Sequence, residues 1–378
     1  MRIRIITDDF TSALDGTACF AERGWHTAVH IRPEVAANPE KAQVVSLDTD
    51  SREHPPTSDH EAVATAAIAW RGADVLTVQF DSTLRGRIAR DCVTALAASG
   101  RRKLLIAPAF PSAGRTVEQG RVLVHGVPVH ETAFGRDPTL PVRESSIPAL
   151  FRAHRMALKV ARDAAHARTL FETCDAVIVD TRTEKELDEI ATSFAGERDL
   201  LLAGSTGLLR ALARVVARPT ETPDAPHDHA VDRSHTGARV TPARRPWLVV
   251  GSLNPCSRRQ LAVARAQDRI AILATVEARL PADAAAQAAL LDLVPQVTNA
   301  VRSGACDGLV VTGGETARRI IDALPAVSLR VCREVMPGVP LAEVRTATRV
   351  FPMITKAGGF GDDDALVACI NLLTEATA

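Results

Sequence analysis

Two adjacent acids, Asp8 and Asp9, follow a short apolar stretch and precede the hydroxyls of Thr11 and Ser12. Carboxylates placed side by side suit substrate hydroxyls or a metal. Polar clusters recur at Asp48-Thr49-Asp50-Ser51-Arg52, at Asp81-Ser82-Thr83-Leu84-Arg85-Gly86 and at Pro108-Ala109-Phe110-Pro111-Ser112-Ala113-Gly114-Arg115. Later in the chain glycine turns take their place: Gly251-Ser252, then Thr312-Gly313-Gly314-Glu315-Thr316, then Thr355-Lys356-Ala357-Gly358-Gly359-Phe360-Gly361-Asp362. Glycine lets an anion approach the backbone, and the free amides and dipole of a helix start favour negative charge. Two such turns before helices make nucleotide phosphates the natural guest, although a Gly-Gly turn alone is common punctuation.

Each cluster follows a segment with strand character. Arg2 to Ile6 reads as a first strand and Ser12 to Arg23 as a helix ending at Gly24. This places Asp8 and Asp9 at a strand's carboxyl end, where open parallel sheets bind ligands. Asp9 or Thr11 as a plain helix cap fits equally well. Strands are expected at 26–31, 43–47, 74–80, 103–107, 176–180 and 200–203, with helices at 61–71, 87–99 and up to Ala217. Thr116 to Ile147 reads as a less regular excursion. In the last third, strands at 247–250, 308–311 and 350–354 alternate with helices up to Ala266, at 282–301 and through Leu324, before a last helix. The pattern predicts an α/β protein of two domains, each a largely parallel sheet flanked by helices: 1–217, a linker 218–246 and 247–378.

Composition narrows the function. Lys plus Arg and Asp plus Glu number 45 each, so net charge supplies no reason to expect nucleic acid or an anionic membrane as partner. A small metabolite is the default. Seven scattered cysteines without a C-x-x-C pair argue against a zinc site or a disulfide framework. The acids at positions 8 and 9 interrupt any signal peptide and no apolar run reaches membrane-spanning length, so the expected location is cytoplasmic. His227, His229 and His235 fall in the linker and read as solvated residues rather than metal ligands. Neither a Walker A sequence nor G-x-G-x-x-G occurs.

Asp8-Asp9-Phe10-Thr11, Asp81 to Gly86, Pro108 to Pro111 with Gly114-Arg115, Gly313 to Thr316, Pro337-Gly338-Val339-Pro340 and Lys356 to Gly361 occur in one order along the chain. Together they resemble the four-carbon acid sugar kinases, formerly a family of unknown function. The resemblance implies an amino-terminal sugar-acid-binding domain and a carboxyl-terminal nucleotide-binding domain with the active site in the cleft between them. It also implies ATP-dependent phosphorylation of threonate, erythronate or an oxo-tetronate, with magnesium. Asp8, Arg52 and Asp81 would contact substrate; Ser252, Gly313, Gly314, Glu315, Thr316 and Gly359, with the adjoining Gly358, would contact nucleotide. Members usually carry lysine just before the Asp-Ser-Thr motif, where this chain has Val78 and Gln79, and a glycine where it has Ser12.

On this reading Arg52 and Arg85 hold the substrate carboxylate, since a guanidinium fork matches it. Asp8, Asp9 and Asp81, beside Ser82, meet substrate hydroxyls or help hold magnesium, whose ligands within the protein stay unassigned. Asp362, in a loop similar to that of ribokinase-like enzymes, is one candidate base, and Asp8 and Asp81 are its rivals. A non-catalytic sensor of sugar acid or nucleotide is the alternative, and a homo-oligomer is compatible with either.

Overall fold

The structure, a computed structural model, describes residues 1–32, 42–52, 61–137, 140–154, 156, 158–216, 240–252, 254–267, 270–275, 282–324 and 326–375. The chain divides into two compact units, Met1–His235 and Thr236–Ala378. Most of the expected linker, with His227, His229 and His235, lies outside the described residues.

In the first unit, β1 (Ile3–Thr7), β2 (Thr27–His30), β3 (Val44–Asp48), β4 (Val75–Gln79) and β5 (Lys103–Ala107) precede a small antiparallel sheet. That sheet is β6 (Arg115–Glu118), β7 (Arg121–Val124) and β8 (Val127–Pro128). It occupies the stretch expected to be irregular. Gln119-Gly120 and His125-Gly126 make its turns with positive φ at all four residues, the backbone that two-residue hairpins require. β9 (Leu158–Ala161), β10 (Ala176–Val179) and β11 (Leu200–Gly204) complete the main sheet, which runs parallel in the order β2-β3-β1-β4-β11-β5-β10-β9.

Alternate residues of each strand serve opposite faces. Ile6, Leu76, Val78 and Ile106 pack into one core with Val63, Ala66 and Cys92 of the helices Glu61–Ala69 and Ile88–Ser99. Ile3, Ile5, Val75 and Leu105 pack into another with Phe20, Leu209 and Leu212 of the helices Phe10–Ala21 and Thr206–Val215. Burial on both faces explains why these strands read as continuous apolar runs. β1 pairs with β3 on one side and β4 on the other, so the strand order reverses there, and the crevice at such a point is where open α/β sheets bind ligands.

The second unit holds β12 (Pro246–Val250), β13 (Ala271–Ala274), β14 (Gly308–Thr312), β15 (Ala326–Met336), β16 (Val339–Thr346) and β17 (Val350–Lys356). Their order is β13-β12-β14-β17-β16-β15; the first four are parallel, while β15 and β16 form an antiparallel hairpin joined to β17. Val250 pairs with Thr312 and Thr312 with Lys356, so the turns that follow these three residues lie along one edge.

Candidate active site

At the end of β1 the two acids take different parts. Asp9 caps the helix Phe10–Ala21, accepting from the Ser12 amide at 2.8 Å. Asp8, only 4% exposed, turns inward to Arg52. Arg52 donates from Nε to Asp8 Oδ2 at 2.9 Å and from Nη2 to Oδ1 at 2.7 Å, while its Nη1 lies 2.8 Å from Asp9 Oδ2. Nη2 also reaches the Ser12 hydroxyl at 2.9 Å, so Ser12, where the resemblance leads one to expect glycine, is a partner of this arginine.

The loop after β3 is fastened to deliver Arg52. Thr49 donates to the Thr7 carbonyl at 2.7 Å, Ser51 to the buried Asp91 at 2.7 Å, and the Arg52 amide to the Asp8 carbonyl at 3.0 Å. Gly86, with φ +96°, leaves the room Arg52 needs: a Cβ there would stand 3.2 Å from Arg52 Cγ.

After β4, Arg85 Nε donates to Asp81 Oδ2 at 2.5 Å, and the Thr83 hydroxyl donates to the same oxygen. Ser82 stands half-buried beside them. Arg85 and Arg115 both face the Phe134 ring, 5.7 and 5.8 Å from its centroid. Arg52 and Arg85, expected to hold a substrate carboxylate, thus have protein carboxylates in their forks. Arg115 differs. Its Nη1 donates to the Ala113 carbonyl and its buried Nε meets no acceptor among the described residues. The sequence alone assigns Arg115 no role, because its approach to Phe134 joins separate loops.

Burial pushes the Asp8 carboxyl up to about 6, and nearby Asp9 and Asp81 add to this against the pull of Arg52. Burial would raise Asp81 too, but the Arg85 and Arg52 guanidiniums and the hydrogen bonds from Arg85 and Thr83 hold it below the usual carboxylate range. Burial works against the charge on Arg52, yet Asp8, Asp9 and Asp81 outweigh it and keep the guanidinium protonated.

Of Val78 and Gln79, which stand where the resemblance leads one to expect lysine, Gln79 donates to Thr206 Oγ1 at 3.1 Å, Thr206 donates to Asp15 at 2.8 Å, and Arg210 stands 3.6 Å from Asp15. Gly16 makes room for the amide, since a Cβ there would come 2.2 Å from Gln79 Oε1.

In the second unit Ser252, Gly313, Thr316 and Gly358 converge. A Cβ on Gly358 would stand 2.4 Å from Ser252 Oγ, and one on Gly313 would stand 3.2 Å from Thr316 Oγ1 and 3.4 Å from the Ser252 amide. Gly313, with φ +99°, opens the helix Gly314–Ala323 without a side-chain cap, so the first-turn amides at Gly314, Glu315 and Thr316 have no partner within the helix. The Glu315 side chain turns to Arg319 at 2.6 Å. Gly359 lies near Asn254, the cap of the helix Pro255–Arg265. Asp362 is exposed and precedes the helix Ala365–Thr374 by more than its cap, Asp364, so it is not a first-turn helix acid. Among the described residues no group of three or more His, Cys, Asp or Glu side chains converges to hold a metal, and no helix is long and apolar enough to cross a membrane.

Residues 3–212 match the model of a sugar-binding N-terminal domain and 276–366 that of a nucleotide-binding C-terminal domain. A D-threonate kinase of Bordetella bronchiseptica is 30% identical over 99% of this chain and 98% of its own length. A D-erythronate kinase of Heliobacterium modesticaldum is 25% identical over 98% of this chain and 96% of its own length. A solved structure from Salmonella typhimurium LT2, at 19% identity and TM-score 0.80, covers 97% of this chain and 98% of its own, a likeness of fold. With both domain models matched in order and whole-length relatives of this kind, the chain belongs to the four-carbon acid sugar kinase family.

Proposed function

We propose that this protein is an ATP-dependent kinase of a four-carbon sugar acid, threonate, erythronate or an oxo-tetronate, with the acid held by the first unit and the nucleotide by the second. The observation that carries the reading is Asp8, a buried carboxylate at the strand-order reversal with its pKa lifted to about 6. A base of that strength is ionised at neutral pH and still able to take a hydroxyl proton. Asp81, held low by its arginines, is a weaker acceptor and serves better as a fixed charge or a hydrogen-bond acceptor for substrate hydroxyls.

The acid's own carboxylate falls to Arg115, whose Nε meets no acceptor among the described residues, rather than to Arg52 or Arg85. Arg52 instead keeps Asp8 in place. On the nucleotide side, the amides at 314–316 and the turn at Gly358 and Gly359 suit phosphate oxygens, with Ser252 between them.

Magnesium binds phosphate oxygens, water and one or two carboxylates. Asp8, Asp9 and Asp81 offer that donor chemistry, but each already faces an arginine, so the ion would arrive with the nucleotide. Its chemistry there would be to neutralise charge on the transferred phosphoryl group.

The test is incubation of the purified chain with ATP, magnesium and a panel of threonate, erythronate and oxo-tetronate stereoisomers, following ADP. Acid-dependent ADP release is expected for at least one. Binding of acid and nucleotide without release across the panel would overturn the kinase in favour of a sensor.

A further inference from the structure

Lys356 closes β17 and is 1% exposed. Among the described residues its ammonium has no carboxylate partner. Main-chain oxygens replace one: Nζ donates to the carbonyls of Ala357 at 3.0 Å, Gly358 at 3.3 Å and Phe360 at 3.0 Å. Its own carbonyl accepts from the Gly313 amide at 3.0 Å, which ties the other glycine turn to the same residue. Gln260 continues the pattern, donating from Nε2 to the carbonyls of Phe360 at 3.0 Å, Gly361 at 3.2 Å and Asp362 at 2.6 Å. Ser257 takes the Gly358 carbonyl at 2.9 Å.

A trans peptide is planar, with its N–H pointing opposite to its C=O. The described residues contain no cis bond. When the carbonyls of Ala357, Gly358 and Phe360 turn toward Lys356, the amides of Gly358, Gly359 and Gly361 therefore point away from it. Those of Gly361, Asp362 and Asp363 likewise turn from Gln260. Successive amides turned away from the buried donors form a concave anion seat; Gly358 and Gly361 let Ser252 and Ala365 close against the loop, while a Cβ at Gly359 would meet nothing nearer than Asn254 at 3.7 Å.

We propose that Lys356 is a positioning residue for the phosphate seat: buried beneath the loop, it draws the carbonyls inward and so presents the amides of 358, 359 and 361 to the nucleotide phosphates, without touching them itself. This inverts the usual part of a lysine in a phosphate loop, where the ammonium meets the anion. The proposal rests on the nucleotide-binding reading of the second unit.

The test uses the full-length protein and ADP, titrated by calorimetry against wild type, Lys356→Met and Lys356→Arg. Lys356→Met removes the inward donors while keeping the bulk, and is expected to weaken ADP binding by about tenfold, the scale of leaving partly buried carbonyls unpaired. The KM for the sugar acid should stay unchanged, and Lys356→Arg should recover part of the loss. A folded Lys356→Met that binds ADP like wild type overturns the inference alone. A wild-type chain that binds no adenine nucleotide defeats the functional reading and the inference with it. Should Lys356→Met fail to fold, amide exchange in the wild type decides: the amides of 358, 359 and 361 should slow when ADP binds, and unchanged exchange at all three overturns the proposal.

Discussion

Arg52 grips Asp8 side-on, with Nε on Oδ2 at 2.9 Å and Nη2 on Oδ1 at 2.7 Å, beneath the end of the strand that bears the acid. Lysine cannot reproduce that two-point contact. Arg52→Lys should therefore lower kcat/KM for the acid while leaving the fold intact. Arg52→Ala, which strands Asp8 as a buried charge, should also destabilise the first unit by about 3–5 kcal/mol. Denaturant unfolding beside steady-state kinetics separates the two effects.

With Asp8 as the proposed base and its pKa lifted to about 6, activity should depend on its ionisation. The acid limb of kcat/KM should rise through pH about 6 and level off above it. Asp8→Asn should remove that limb and lower kcat by about 10²–10⁴-fold. A pH profile of the variant that keeps the wild-type limb would assign the base elsewhere, with Asp362→Asn the next variant to measure.

Asp81 behaves in the opposite sense. Its carboxyl is held below the ordinary range in the folded chain, so the stability it contributes is present above the unfolded value of about 3.9 and is lost as pH falls through the folded value. Asp81→Asn should lessen acid sensitivity of the first unit below about pH 4 and draw the limb near pH 6 slightly downward, since its charge no longer adds to the lift on Asp8. Urea midpoints across pH check this.

Arg115→Ala should raise the KM for the sugar acid more than it lowers kcat, because it removes a carboxylate partner and not a proton acceptor. The Phe134 ring would keep Arg85 as a neighbour. An uncharged polyol analogue lacking the carboxylate should bind wild type and variant alike.

Gly358→Ala would drive a Cβ to 2.4 Å from Ser252 Oγ. Displacement of the serine should weaken ADP by about tenfold, about 1.4 kcal/mol, with sugar-acid binding intact. Chelation of magnesium should stop turnover but leave the melting temperature of the nucleotide-free protein unchanged, since the described residues contain no metal cage.

Much of this was readable before any coordinates. The strand-then-acid pattern at Ile3–Thr7 and Asp8 is local, and local patterns survive folding. The glycine turns were equally plain. What escaped were pairings over distance: Asp8 with Arg52, 44 residues apart, and Lys356 with carbonyls whose direction no residue type announces. The β15–β16 hairpin is hard to see in the sequence because the apolar alternation of Leu329 and Val331 slips at Arg333 and Glu334, where the register shifts, and Pro337-Gly338 serves both as a motif and as the turn. The helix Glu184–Phe194 has a start that the sequence announces, since Thr183 and Glu186 form a full capping box.

The amide of Gln79 and the guanidinium of Arg210 meet the same small neighbourhood through Thr206 and Asp15. Positive charge near the tip of β4, which the resemblance leads one to expect on the strand itself, here comes from Arg210 on the helix Thr206–Val215, late in the same unit. A lysine at 79 would add a second cation to the neighbourhood Arg210 already serves, so that substitution calls for a paired exchange in which Arg210 gives up its charge as lysine enters.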